Sequence, residues 1–437
     1  MSPSLQKGIK YYEKPFHTNR MSMSQKWNSY RNECFAILFI RVFKGSTASQ
    51  VRESIIKLWK MYGELEKGNV SDLPNHPVPS GQLSVLLGYA PNSFTIPGVT
   101  KKIPRDFKDR QFLTPSPGGP ILEGSGIKYA DDIHENLGTS EHMIVQLISK
   151  TQLATYRAIV ETWNHLQNDN PAKDTLQFTK FFSGFQRDDL RGWLGFHDEV
   201  SNMQGRKERL GAIAINVTNN NLIHRDFWTK DGTYLAFLRI GIDLDIWKRI
   251  ERKHQDLIVG RDKLTGVPLI GVDKEGNPVA TEECPPASKI RTFNRNFHDH
   301  PNYFNHPNAS KDIEARLDIN ASSKILNQSH IGRTRHLDLI DSTDPTSRRI
   351  FRQSYEFIEP LNSNPAKPFR VGLNFISFQN DPGRLFFILT DPNWLGNSNF
   401  GGHGLSQNMN RLFSVFASGV FFVPPVEKEF PGASIFA

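Results

Sequence analysis

Cysteine is almost missing from this chain: Cys34 and Cys284 are the only two in 437 residues. Two thiols exclude a disulfide framework, an iron–sulfur cluster held by four thiolates, and a multi-cysteine zinc site. A bilayer-spanning run is missing too. The longest apolar stretch runs from Cys34 to Ile40, far short of the roughly 20 residues that a helical span needs. The N-terminal stretch MSPSLQKGIKYYEKPFH is polar and shows no apolar h-region, so the expectation is a soluble, cytoplasmic protein with no membrane partner. Lys and Arg exceed Asp and Glu, 53 to 45, for a formal net charge of +8, but the cations are spread along the chain and form no block. That dispersal argues against a nucleic-acid partner and leaves an anionic cofactor or substrate as the better match. What is present is apolar and aromatic. Hydrophobic residues make up 38%, with 31 Phe and 7 Trp, enough for a substantial core and against global disorder.

Two stretches of the chain can be laid over one another. In the first, FAILFIRVF (35–43) reads as a buried strand. Val51, Ile55, Leu58 and Tyr62 mark the helix that follows, with Gly63 placed as its stop. QLSVLLGYA (82–90) and HMIVQLISK (142–150) read as two strands, and a second helix carries Leu153, Tyr156, Val160 and Trp163 on one face. In the second stretch, TYLAFLRIGI (233–242) is the strand, Trp247, Ile250 and Leu257 mark the helix, and Gly260 ends it. GLNFISFQND (372–381) and RLFFILTD (384–391) supply the next two strands. A split β-α-β motif repeated twice is a ferredoxin-like unit doubled. It predicts an α+β fold of two such units, sheet to sheet, with a cleft between the halves. Residues 64–80, 92–127 and 261–328 are polar or rich in Pro, Gly, Asn and Ser, and read as loops.

The chemistry-bearing residues concentrate in two places. RGWLGFHDEVSNM (191–203), which joins the halves, holds the adjacent carboxylates Asp198 and Glu199 in a turn flanked by Gly and aromatics. These are either solvated acids of a surface turn, or an acid/base carboxylate at a cleft lip with its pKa raised by partial desolvation. QSHIGRTRH (328–336) and SRRIFRQSYEF (347–357) surround His330 with Arg333, Arg335, Arg348, Arg349 and Arg352. Such a cluster is either a solvated basic face or an imidazole for a metal, with guanidinium groups for the carboxylates of an anionic cofactor.

GFHDE (195–199) resembles the GxxDG motif of dye-decolourising peroxidases, haem enzymes with two ferredoxin-like domains. The similarity continues in order through ADDIHENLGTSEHMIVQLISKTQLATYRAIVETW (130–163), DGTYLAFLRIGID (231–243), LIVGRDKLTGVPL (257–269), SHIGRTRH (329–336), RRIFRQSYEF (348–357) and GLNFISFQND (372–381). It covers residues 130–430 and only loosely the first 130. The resemblance implies an N-terminal ferredoxin-like domain over 1–190 and a C-terminal, haem-binding one over 191–437 (a dimeric α/β-barrel-type arrangement). It implies haem b as cofactor, with His330 as the iron ligand, Arg333 among the cofactor-binding residues, and Leu373 and Phe375 framing the peroxide side. Asp198 would be the distal carboxylate and Arg352 the distal arginine. The implied reaction is reduction of hydrogen peroxide with one-electron oxidation of a bulky dye-like or phenolic reductant through a ferryl intermediate. Haem binding alone, or deferrochelatase-like haem processing, is the alternative that the same pocket would serve, and an oligomer is compatible with either.

The chain departs from the motif at its last position, where Glu199 stands in place of Gly. Glu199 points away from the haem, or raises the pKa of Asp198 by like-charge repulsion, or fills peroxide space. The segment HIGRTRH also lacks the Asn-Pro-Arg that often follows the His in relatives. Among the remaining features, His298, His300 and His306 read as an exposed loop and Cys284 as a free surface thiol. The five N-x-S/T sequons read as chance, and Trp193 as core packing. Tyr355 and Trp394 are open between core packing and relaying electrons to a surface substrate.

Overall fold

The computed structural model describes residues 5–7, 9, 33–110, 120–123, 126–129, 135–187, 191–196, 206–215, 224–261, 263, 270–272, 278–280, 329–330, 349–361, 367–390 and 412–437. Strands β1 (Cys34–Val42), β2 (Ser84–Tyr89), β3 (Pro120–Glu123), β4 (Gly126–Tyr129), β5 (Glu135–Asn136), β6 (Met143–Ser149) and β7 (Leu176–Phe185) lie in the N-terminal half. Strands β8 (Thr233–Ile242), β9 (Ile270–Val272), β10 (Pro278–Ala280), β11 (Phe351–Arg352), β12 (Tyr355–Pro360), β13 (Phe369–Gln379) and β14 (Phe413–Val423) lie in the C-terminal half. Six helices matter to the argument: α1 (Ala48–Lys67), α2 (Gln152–Asn168), α3 (Arg206–Ile213), α4 (Leu244–Arg249), α5 (Arg252–Val259) and α6 (Gly383–Thr390).

Each half has the order expected of a ferredoxin-like unit. The N-terminal strands pair as β7-β1-β6-β2 and the C-terminal ones as β14-β8-β13-β12. The halves join at two seams, where Phe185 of β7 faces Glu356 of β12 and Tyr89 of β2 faces Phe422 of β14. These pairings close eight strands into a ring. The space between the sheets is therefore filled, not an open cleft. Phe35, Ile37 and Phe39 of β1 meet Leu235 and Phe237 of β8 and Ile376 and Phe378 of β13 there, all of them buried. Alternate residues of β1 point outward, and Ala36, Leu38 and Ile40 are buried under the helices. Burial on both faces is why this strand reads as an unbroken apolar run.

Helix α1 begins at a capping box. The Gln50 amide donates to Thr47 Oγ1 at 3.4 Å, and the Thr47 amide donates to Gln50 Oε1 at 2.9 Å. Val51, Ile55, Leu58 and Tyr62 all face the sheet, as their spacing predicts, but the helix runs past Gly63 to Lys67. Gly68 takes the left-handed cap at φ 88° instead. Helix α5 does end at the predicted glycine, Gly260, with φ 77°.

Two other expectations are corrected, and the one-faced stripe of α2 is found on its solvent side. RLFFILTD is not a strand: Gly383–Thr390 is helix α6, started by Asp381, whose carboxylate accepts from the Gly383 amide at 2.7 Å. The partner strand of GLNFISFQ is β12, which precedes it, and each half closes on a further strand, β7 or β14. Helix α2 turns Leu153, Tyr156, Val160 and Trp163 to solvent and buries Ala154, Thr155, Ala158, Ile159, Thr162, His165 and Leu166. The buried hydroxyls are satisfied: Tyr62 Oη and Thr162 Oγ1 lie 2.6 Å apart, as do Ser149 Oγ and Thr155 Oγ1.

Candidate functional site

Six residues were expected in the site. His330, Arg352, Leu373 and Phe375 are described; Asp198 and Arg333 lie outside the described residues, as do Glu199, Trp394 and the His298–His306 loop. The ladder between β11 and β13 pairs Phe351 with Phe378 and Arg352 with Ser377. Residues directly opposite in a ladder point to the same face, and faces alternate along each strand. Phe351, Ile376 and Phe378 thus go into the barrel interior, whereas Arg352, Leu373, Phe375, Ser377 and Gln379 share its outer face. Three of the expected residues are therefore gathered by strand register alone. Across β13, the same face continues as Ile240, Leu238, Ala236 and Tyr234 of β8.

This face is a strip of apolar surface with polar points set into it. Tyr234, Ala236, Leu238, Leu385, Val415, Val420 and Phe422 are buried along it. Leu373 and Phe375, in the middle of a central strand, are only half-buried, as is Arg352. Ser377 Oγ and both side-chain polar atoms of Gln379 are buried without a hydrogen-bond partner from the protein. Tyr234 Oη donates to Asp106 Oδ2 at 3.2 Å, and burial first, then the charge of Asp106, pushes the phenol well above its ordinary pKa. Arg384 of α6, itself buried, donates from Nη1 to the Arg349 carbonyl at 3.3 Å and from Nε to Asn380 Oδ1 at 2.9 Å. These bonds tie the helix to the stretch that leads into Arg352.

His330 is half-buried, next to buried Ser329. Tyr355 is buried and stacks on Phe35 at 4.4 Å in the barrel interior, so it touches no bulky surface substrate itself. Trp193 packs edge-on against Phe185 at 6.4 Å, under the Arg187 guanidinium at 5.2 Å.

Sequence reasoning missed the group that fixes the turn just before Asp198. Arg191 Nη1 donates to the carbonyls of Gly195, at 2.6 Å, and Lys263, at 2.7 Å. Trp247 Nε1 donates to the Leu194 carbonyl at 3.0 Å. Gly195 has φ 85°, and a Cβ there would meet Lys263 Cε at 2.6 Å. The Lys263 ammonium lies 5.6 Å from the Phe196 ring and 5.4 Å from that of Trp247 and donates to Gln255 Oε1 at 2.6 Å; burial, then Arg252, lowers its pKa. The glycine was visible in the sequence, but nothing local announced that distant Trp247 and Lys263 would meet it. Among the described residues, no cluster of three or more His, Cys, Asp or Glu side chains could hold a bare metal ion. None of their helices is long and apolar enough to cross a membrane.

A ring of eight strands with helices outside, and an outer face on which Arg352 stands among apolar side chains, defines a ferredoxin-like α+β protein. The fold is similar to that of ferric DtpA from Streptomyces lividans, with a TM-score of 0.62 at 18% identity, covering 93% of each chain. It is also similar to a DyP-type peroxidase from Cellulomonas bogoriensis, with a TM-score of 0.60 at 16% identity, covering 93% of this chain and 94% of that one. The family description "Dyp-type peroxidase, C-terminal" matches residues 189–428, and the chain belongs to this haem-binding family. A deferrochelatase from Shigella sonnei (strain Ss046) is 26% identical over 212 residues, which are 46% of this chain and 47% of the relative. The match thus spans about half the length of that curated relative.

Proposed function

We propose that this chain is a haem b peroxidase that reduces hydrogen peroxide with electrons taken singly from a bulky dye-like or phenolic reductant. The observation that carries the reading is the strand register that sets Arg352 beside Leu373 and Phe375 on one face. The residues present suit the cofactor. Half-buried Leu373 and Phe375 offer apolar contact, Arg352 offers a cation, and buried Ser377 and Gln379 offer hydrogen bonds not taken up within the protein. Bound haem would supply a redox-active iron at which peroxide is split.

The rest falls to the chain's own side chains. His330 would hold the iron through one imidazole nitrogen, and Arg333 would pair with a cofactor carboxylate. The Asp198 carboxylate would take a proton from one peroxide oxygen and return it to the other. The Arg352 guanidinium, already fixed on the sheet, would offset the negative charge that develops on the departing oxygen. Leu373 and Phe375 would keep water out of that space, which strengthens both effects. Asp198 has an ordinary pKa near 3.9, so acidic operation follows unless its surroundings raise that value.

The experiment is the visible spectrum of the haem-reconstituted protein before and after one equivalent of hydrogen peroxide. A Soret band that changes rapidly supports the reading, and no Soret band at all removes the cofactor. His330→Ala should lose or mis-ligate haem, and Asp198→Asn should keep haem but react slowly with peroxide. A gain in turnover for Glu199→Gly would mark Glu199 as inhibitory. The likeness to deferrochelatases of Shigella sonnei and Escherichia coli favours a second reading, removal of iron from haem. Under that reading a stable Soret band would ignore peroxide, and a reductant would release free porphyrin, seen by its fluorescence.

A further inference from the structure

Helix α2 carries its large apolar side chains on the side away from the core. Leu153, Tyr156, Val160 and Trp163 are 66%, 43%, 59% and 52% exposed. The sheet-facing side needs none of them, being filled by Ala154, Ala158, Ile159, Leu166 and the bonded Thr155 and Thr162. The exposed four follow one another at steps of three, four and three residues, the seam spacing of packed helices. No charged side chain interrupts the seam, and the exposed residues beside it are Gln152, Asn164 and Gln167. Tyr156 Oη accepts from Gln152 Nε2 at 2.9 Å, so part of its hydrogen-bonding need is met within the helix, and its O–H stays free to donate at the rim of a contact.

We propose that this seam is the contact between two copies of the chain, packed helix to helix about a two-fold axis near Ala158. The seam is self-complementary in the antiparallel sense that such an axis requires. Leu153 meets Trp163 of the partner subunit, and Tyr156 meets Val160 of the partner subunit, so every large ring is set against a smaller aliphatic group. The area agrees. The four side chains expose on the order of 500 Å², a patch at the upper end of what monomers show. Two copies remove about 1000 Å² before any rim residue is counted, the size at which specific interfaces begin.

Sedimentation velocity on the full chain at about 50 µM, well above the Kd range of specific dimers, tests the contact. The wild type is expected as a dimer, and Val160→Glu as a monomer with unchanged circular dichroism. A wild-type monomer overturns the proposal and means that the seam is covered by the chain's own residues or by another protein. A Val160→Glu variant that stays dimeric overturns it as well, by placing the interface elsewhere. The register has its own test, independent of the charge substitution. In a Cys34→Ser/Cys284→Ser background, mild oxidation should link Tyr156→Cys/Val160→Cys chains into covalent dimers and leave Leu153→Cys/Val160→Cys chains unlinked. Failure of the first pair to link overturns the antiparallel arrangement.

Discussion

Arg352 and Ser377 stand directly opposite one another in the β11–β13 ladder, on the outer face of the barrel. One is a half-buried cation and the other a fully buried hydroxyl with no partner. The pair sets a charge and a hydroxyl into an otherwise apolar strand surface.

Replacing Arg352 with Leu removes the charge and shortens the side chain to its apolar stem. Loss of one preorganised donor at a developing anion costs about 10²–10³-fold in rate. Stopped-flow mixing of the haem-loaded variant with peroxide should show a slowing of that size with the Soret band intact. An unchanged rate would take Arg352 out of the chemistry.

Ser377→Ala should act with opposite sign in the two forms of the protein. Without cofactor, it removes a buried hydroxyl that takes no hydrogen bond from the protein, and the variant should be as stable as the wild type or more so, by about 1 kcal/mol. With haem bound, the same change removes a hydrogen bond if the hydroxyl serves the ligand, and the gain in stability on loading should shrink. Thermal melts of both forms with and without haem decide it; a variant less stable in the haem-free form contradicts the geometry.

His142 predicts an acid weakness in the N-terminal half. Its Nδ1 accepts from the Val42 amide at 3.3 Å, and burial, followed by the charge of Arg41, lowers its pKa from 6.5 to about 4. The unfolded chain therefore takes up a proton as pH falls through 6.5, while the folded one holds out until about 4. Stability should decline across that window and level off below it. His142→Asn should flatten the decline in urea titrations run between pH 7 and pH 4; an equal slope in the variant would assign the loss to other groups.

Gly372 begins the GLNF segment at a point where only hydrogen fits. A Cβ there would come within 2.0 Å of the Ile240 carbonyl oxygen and 2.6 Å of the Phe357 ring. Both neighbours are held, Ile240 in the ladder with Leu373 and Phe357 under the Arg239 guanidinium at 3.7 Å. Gly372→Ala should destabilise by at least the 1–3 kcal/mol typical of overpacking and lower the melting temperature accordingly. A variant that melts within a degree of the wild type would show that the β8–β13 ladder yields.

What could be read in the sequence followed from burial that local pattern records. Strands β1, β2, β6 and β8 announce themselves because both of their faces are covered, and α1 because its buried stripe has helical spacing. Patterns failed where burial and apolarity part company. RLFFILT is apolar all round, so period could not separate strand from helix, although Asp381-Pro382 ahead of it is a helix start that outweighs the run. In α2 the larger apolar stripe faces outward, because the inner side sits close to the sheet and is built from small residues and paired hydroxyls. Of the site, the grouping of Arg352 with Leu373 and Phe375 is a matter of register between β11 and β13, about twenty residues apart. The motif resemblance named these residues, while only the ladder shows that they share a face. Arg191 bonds the Gly195 carbonyl within its own turn, but Trp247 and Lys263 could not have been found at all, since they meet the 192–196 turn only through tertiary structure.

The end of the chain lies where it matters most to the beginning. Phe430, Ile435 and Phe436 are buried in the same cluster as Val51, Ile55 and Tyr89, with Tyr89 Oη donating to the Pro431 carbonyl at 2.7 Å and Arg52 paired with Glu429 at 2.5 Å. A ribosome that has made all of the N-terminal half has therefore not yet supplied the side chains that complete its core. That half must wait, partly open, for several hundred further residues, and the loop so closed carries a large entropic cost. Stops that remove residues 430–436 would then injure a core made several hundred residues earlier, and its maturation should lean on chaperones during synthesis and not only after it.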